Sequence, residues 1–180
     1  MKLSTPLAVS LLLGLGLLSS AVTQRPAAED LAVLKFVQGF YDWYTPVALG
    51  EHSVPADVLA LKSRRSDFTV KLARALAADE AAQAKASGEI VGLDFDPFLN
   101  SQDPDKRYQV GKIMHTGQRF LVEIHGVVDG KAVAKPEVVA DVVRVGGKYR
   151  FENFLYPENG GNLLSVLKTL AAERHRPEDR

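Results

Sequence analysis

The sequence predicts an α+β domain in which helices come first and an antiparallel meander packs onto them. Three observations carry this. Apolar residues recur at helical spacing between Val33 and Tyr44. From about residue 107 to 155 the pattern changes to short segments separated by tight-turn residues, and after Asn162 an amphipathic segment returns. Helical runs followed by strand runs are the signature of helices packed on one face of a sheet.

The first helix rests on Val33, Phe36, Val37, Phe40, Tyr41 and Tyr44, which form one stripe. Glu29 and Asp30 fall in its first turn, where carboxylates suit the positive helix end, and Pro46 is expected to stop it. A short second helix is expected from Pro55 to about Lys62, since proline is accepted in a first turn. Ser66 is placed as the cap of a third helix, with Phe68, Leu72, Ala75 and Leu76 on one side and Lys71 and Arg74 on the other. That helix fades in an alanine-rich stretch ending at Ser87-Gly88.

Strands are expected over 107–114, 119–128, 137–145 and 148–155, with turns at His115–Gln118, Asp129-Gly130 and Gly146-Gly147. Asn162 then caps a last helix presenting Leu163, Val166, Leu167, Leu170 and Ala171. Side-chain alternation adds a constraint. A regular hairpin at Asp129-Gly130 puts Phe120, Val122 and Ile124 on the face of Val139 and Asp141, whereas the next hairpin groups Val138, Ala140 and Val142 with Phe151. The two apolar sets join only if an extra residue enters near Lys135-Pro136, so a bulge is expected there.

The N-terminus has the three parts of a secretory signal: Lys2, an apolar run from Leu7 to Leu18, and small residues ending at Ala21. Cleavage is expected after Ala21, with Ser19 and Ala21 as the small recognition residues. The apolar run is shorter than the ~20 residues that span a bilayer. This divides the chain into a signal peptide (1–21), one domain (22–172) and a charged flexible tail (173–180). With no cysteine, neither lipid attachment at an N-terminal Cys nor a disulfide is available, and the core alone must hold the fold. A domain of this size buries about two-thirds of its unfolded surface. The 22 basic and 22 acidic residues balance, and no dense basic block offers a nucleic-acid footprint.

Several strings carry a family resemblance: Phe40-Tyr41-Asp42-Trp43-Tyr44, Leu93-Asp94-Phe95-Asp96-Pro97-Phe98 with Gln102-Asp103, and Phe151-Glu152-Asn153 before Tyr156-Pro157. Together, from about Leu31 to Leu170, they resemble the exported bacterial family known as domain of unknown function 3828. That family is similar to the nuclear-transport-factor-2-like superfamily. The resemblance implies a cone, with a curved sheet wrapped around helices to leave a pocket, and residence in the periplasm of a Gram-negative bacterium. It implies no catalytic residue.

Three constellations are candidates for function. The acidic stretch Asp94 to Asp105 is rich in oxygen-bearing side chains, and Asp94, Asp96 and Asp103 are its calcium candidates. Its spacing fails the EF-hand pattern, because Phe98 replaces a ligand and no glycine makes the turn. The competing reading is a loop whose Asp and Asn side chains bond their own backbone while Phe95, Phe98 and Leu99 anchor it. Glu123, His125 and Asp141 share a strand face and are the acid/base candidates, but the expected bulge moves them, with Arg150 and Glu152, to the wet face. The aromatics of the first helix read mainly as core, with Trp43 at the stripe edge and beside Asp42 as the contact candidate.

The function expected from this is non-enzymatic: an exported binding or accessory protein without a cofactor. It would engage a protein partner or small ligand of the cell envelope through the concave pocket of the cone and the 94–105 loop, with Tyr41, Trp43, Tyr44, Asp94, Asp96, Gln102 and Asp103 as binding residues. The alternatives are a small hydrolase or isomerase using Glu123, His125 and Asp141, and a calcium-stabilised module built on the 94–105 loop.

Overall fold

The computed structural model describes residues 27–175. The expected signal peptide, with its recognition residues Ser19 and Ala21, and the end of the tail lie outside the described residues. Among them are four α-helices, α1 (Ala27–Ala48), α2 (Ala56–Ser63), α3 (Val70–Gln83) and α4 (Leu163–Arg174), and a single 3-10 turn at Arg65–Asp67. Six strands, β1 (Tyr108–Thr116), β2 (Arg119–Val128), β3 (Lys131–Ala132), β4 (Val138–Val145), β5 (Lys148–Tyr156) and β6 (Gly161–Asn162), form one antiparallel sheet. The order is β1-β2-β4-β5-β6, with β3 paired to β2. The α+β architecture with a C-terminal helix is therefore present.

The register of β2 and β4 shows how the chain joins its two apolar sets. Near the turn Val128 faces Lys131 and Val127 faces Ala132. Beyond it Ile124 faces Val138, Val122 faces Ala140 and Phe120 faces Val142. Residues 133–137 bow out, and the pairing resumes three residues out of step rather than one. An odd offset inverts the faces, so the expected alignment is reached by a larger bow around Lys135-Pro136. Val133 and Glu137 rejoin the sheet by donating to Gly126 O and Ile124 O, both at 2.9 Å.

Two smaller irregularities follow the same logic. The β1–β2 register slips between Val110 and Ile113, and the β4–β5 register slips at Asp141/Val142, which leaves Glu152 unpaired. Phe68 pairs beside β5 at Phe151, and Thr69 N–H donates to Phe151 O at 2.9 Å.

The inner face is closed by α1. Val33, Val37, Phe40, Tyr41 and Tyr44 are buried against Phe120, Val122, Ile124, Val142, Phe151 and Phe154. Phe40 is the hub, 4.8 Å from Phe151, 5.3 Å from Tyr44 and 5.6 Å from Phe98 between ring centroids. Burying each such ring contributes about 2–3 kcal/mol, which makes this cluster the main source of stability in a chain without disulfides.

Four local expectations need correction. Pro46 lies inside α1, which continues to Ala48. At the third residue from the end it removes one bond, to the Asp42 carbonyl on an exposed turn, and water can take its place. Ser66 belongs to the 3-10 turn, and Thr69 caps α3 by accepting from Leu72 N–H at 3.3 Å. His115 and Thr116 are strand residues rather than turn residues. Finally, Glu173 and Arg174 are helical, and Arg174 is fixed by ion pairing to Asp79 at 2.6 Å. Asn162 caps α4 as expected, accepting from Ser165 N–H at 3.0 Å.

Candidate ligand-binding cleft

Between α3 and β1 the chain runs through residues 84–107 without a helix or a strand. A connection this long inside a compact domain is usually either functional or a disordered linker. Here it is held by side chains at three places. Gln83 donates to Glu89 O at 3.0 Å and accepts from Val91 and Gly92 N–H at 2.8 and 2.9 Å. Asp79 accepts from Leu93 N–H at 2.9 Å, while Arg174 bonds both Asp79 and, at 2.7 Å, Val91 O. Tyr41 and Tyr156 donate to Phe98 O and Pro97 O at 2.8 and 2.9 Å.

Fixed in this way, the segment forms one wall of a cleft of about 800 Å³. The opposite walls are Val54–Val58 at the start of α2 and Asp79, Glu80, Gln83 and Ala84 at the end of α3. Val54, Val58, Ile90, Leu93 and Phe95 supply apolar surface, and Asp57, Asp79, Glu80, Asp94 and Asp96 supply carboxylates. None of its lining residues is Lys, Arg or His. A smaller cavity of about 390 Å³, between Val47 and Ala56, adjoins it.

Asp96 closes a tight loop. Its Oδ1 accepts from Phe98 and Leu99 N–H at 2.9 and 3.0 Å, and its Oδ2 accepts from the Tyr44 hydroxyl at 2.6 Å. Asp96 N–H donates to Ser101 O at 3.0 Å, and Asn100 sits at φ 52°. Burial pushes its carboxyl up to about 6, against the hydrogen bonds from Tyr44, Phe98 and Leu99 that favour the charged form. Tyr44, raised well above 10 by burial and then by the Asp96 charge, remains a donor. Asp57 is also raised, first by burial and then by the nearby Asp79 and Glu80, while backbone N–H groups oppose the rise.

The expected binding residues divide. Asp94, Asp96 and Gln102 line the cleft, and Asp103 is exposed outside it. Gln102 donates to Asp94 O at 2.9 Å, and Asp103 N–H donates to Ser101 Oγ at 3.0 Å. Tyr41 and Tyr44 are 1% and 0% exposed, so they position the wall rather than offer a surface. Trp43 lies away from the cleft lining, under the Arg64 guanidinium at 5.1 Å from the ring centre. The calcium candidates do not converge: among the described residues no three His, Cys, Asp or Glu side chains are placed to hold a metal ion.

The acid/base candidates stand on the outer sheet face, away from the cleft. His125 Nε2 is 3.5 Å from Glu123 Oε2, and His125 Nδ1 is 2.8 Å from Val133 O. Asp141 faces Leu121, four residues along β2 from His125, and pairs with Arg119. The face is as expected, but its exposure is not. Asp141 is 4% exposed and its carboxyl is raised by burial, with Arg119 opposing the rise.

Sequence reasoning missed two features. Asp57, Asp79, Glu80 and Gln83 lie on helices and join the cleft only through tertiary packing. Asp105 and Glu137 also meet over Gly126, where an added Cβ would lie 1.8 Å from Asp105 Oδ2 and 2.6 Å from Glu137 Oε1. Glu137 is raised by burial and then by Asp105, and a hydrogen bond from Tyr108 opposes this. A glycine inside the β2 pattern was the available signal of a close approach. Comparison with protein families, with curated proteins and with solved structures finds no match.

Proposed function

We propose that this is a non-enzymatic binding or accessory protein, exported to the envelope, that engages a protein partner or small ligand through the cleft walled by residues 90–104. The observation that carries this is the fastening of a long irregular segment by side chains from α1, α3, α4 and β5 beside an open apolar and acidic concavity. Holding the wall in advance lowers the ordering cost of binding. This cleft is not the concave pocket expected between helix and sheet: no strand residue lines it, and aromatic rings pack between α1 and the strands.

The export and periplasmic reading rests on the N-terminal pattern of Lys2, the 7–18 apolar run and the small residues before Gln24. Among the described residues no helix is long and apolar enough to cross a membrane. Membership in domain of unknown function 3828 and a nuclear-transport-factor-2-like cone belong to the same proposal. They are supported by the sequence strings given above and by helices on one face of an antiparallel sheet. An acid/base role is not favoured, since Glu123, His125 and Asp141 stand outside the cleft and both Asp96 oxygens already accept hydrogen bonds.

The test is affinity capture from envelope extract with wild type, Trp43→Ala and Asp94→Lys, identifying bound proteins by mass spectrometry. The cleft reading expects one set of partners shared by wild type and Trp43→Ala and lost with Asp94→Lys. Loss with Trp43→Ala alone would move the site to the Arg64 side of α1.

A further inference from the structure

The chemistry of the cleft narrows its occupant. We infer that it takes a basic polypeptide segment, one in which Lys or Arg side chains flank an apolar residue. This rests on the cleft being the binding site, and it adds the class of partner.

The carboxylates come from separate elements: Asp57 from α2, Glu80 from α3 and Asp94 from the loop. Asp79 is already neutralised by Arg174, and Asp96 is occupied by Tyr44 and two backbone N–H groups. Asp57, Glu80 and Asp94 are left facing a space whose lining contains no cation. A hard metal ion needs several oxygens converging on one point, and no such group of acidic side chains occurs among the described residues. Charges distributed around a cleft instead complement positive groups distributed along a chain.

The apolar part selects a peptide over a simple polyamine. Ile90 is 74% exposed on the rim, where it joins the apolar lining of the cleft. Gln83 clamps the backbone on both sides of it, at Glu89 O and Val91 N–H. An apolar group set between the partner's positive charges would bury Ile90 and the surface it continues, which a polyamine cannot do. Val54 and Phe95 extend the same surface inward.

The experiment is an amide NMR titration of the protein with three octapeptides alternating leucine with lysine, glutamate or serine, and separately with spermidine and calcium chloride. The expected result is that the lysine peptide moves the amides of Val58, Ile90 and Phe95. Its affinity should fall at least tenfold in a Glu80→Lys/Asp94→Lys variant, two positions where only the backbone carbonyl helps to hold the wall. Equal binding of the glutamate or serine peptide in the cleft would overturn the basic character but retain the site. Spermidine or calcium binding there as tightly as the lysine peptide would overturn the choice of a peptide. If no probe moves the cleft amides, both this inference and the cleft reading fail.

Discussion

Asp96 shows how one side chain links the fold to its solution behaviour. It fastens the 96–101 loop through three hydrogen bonds, yet burial raises its carboxyl to about 6. In the unfolded chain an aspartate titrates near ~4. Between these values the folded protein keeps a proton that the unfolded chain has lost. The stabilisation is therefore complete below about pH 4 and is lost as pH rises through 6, a difference of about 3 kcal/mol. Asp96→Asn can still accept from Phe98 and Leu99 N–H but cannot titrate. Urea midpoints at pH 4.5 and 7.5 should differ less in the variant than in wild type. An unchanged difference would remove Asp96 as its source. The sequence identified Asp96 as a loop residue, but its partner Tyr44 is 52 residues away and no local pattern joins them.

At the scale of elements, the helix and strand positions were largely readable because they follow local periodicity. The parity of the apolar faces also required an interruption near Lys135-Pro136. Its size was not readable, since one extra residue and three give the same faces. Cap choice failed at Ser66 for a related reason: Ser66 and Thr69 are both capping types, and the tie of Thr69 to Phe151 decides between them. The bowed segment 133–137 also brings Glu137 to Asp105 above β2, a contact that depends on Gly126. Gly126→Ala should displace both carboxyls and, since these are side-chain ends rather than backbone, cost about 1 kcal/mol, the low end for overpacking, measured as a loss in urea stability. A variant as stable as wild type would show that Asp105 and Glu137 do not need that approach.

For the whole molecule, the division of labour is between a ring-filled core and a long connection fixed beside it. Hydrophobic patterning predicted the first, because Phe40, Phe98, Phe151 and Phe154 had to be buried somewhere. It did not predict the cleft, whose walls come from α2, α3 and residues 90–104, nor the Asp79–Arg174 pair that spans 95 residues. Helix-surface carboxylates such as Asp57 and Glu80 read in sequence as ordinary solvated positions until packing places them around one space.

The most direct test of this arrangement is photocrosslinking in cells, with a photoreactive amino acid placed at Ile90 on the cleft rim or at Val143 on the outer sheet face. A cleft that takes a basic segment gives a discrete adduct from position 90, abolished by Glu80→Lys, and none from position 143. An adduct from position 143 alone, or one from position 90 that survives the charge reversal, would contradict it.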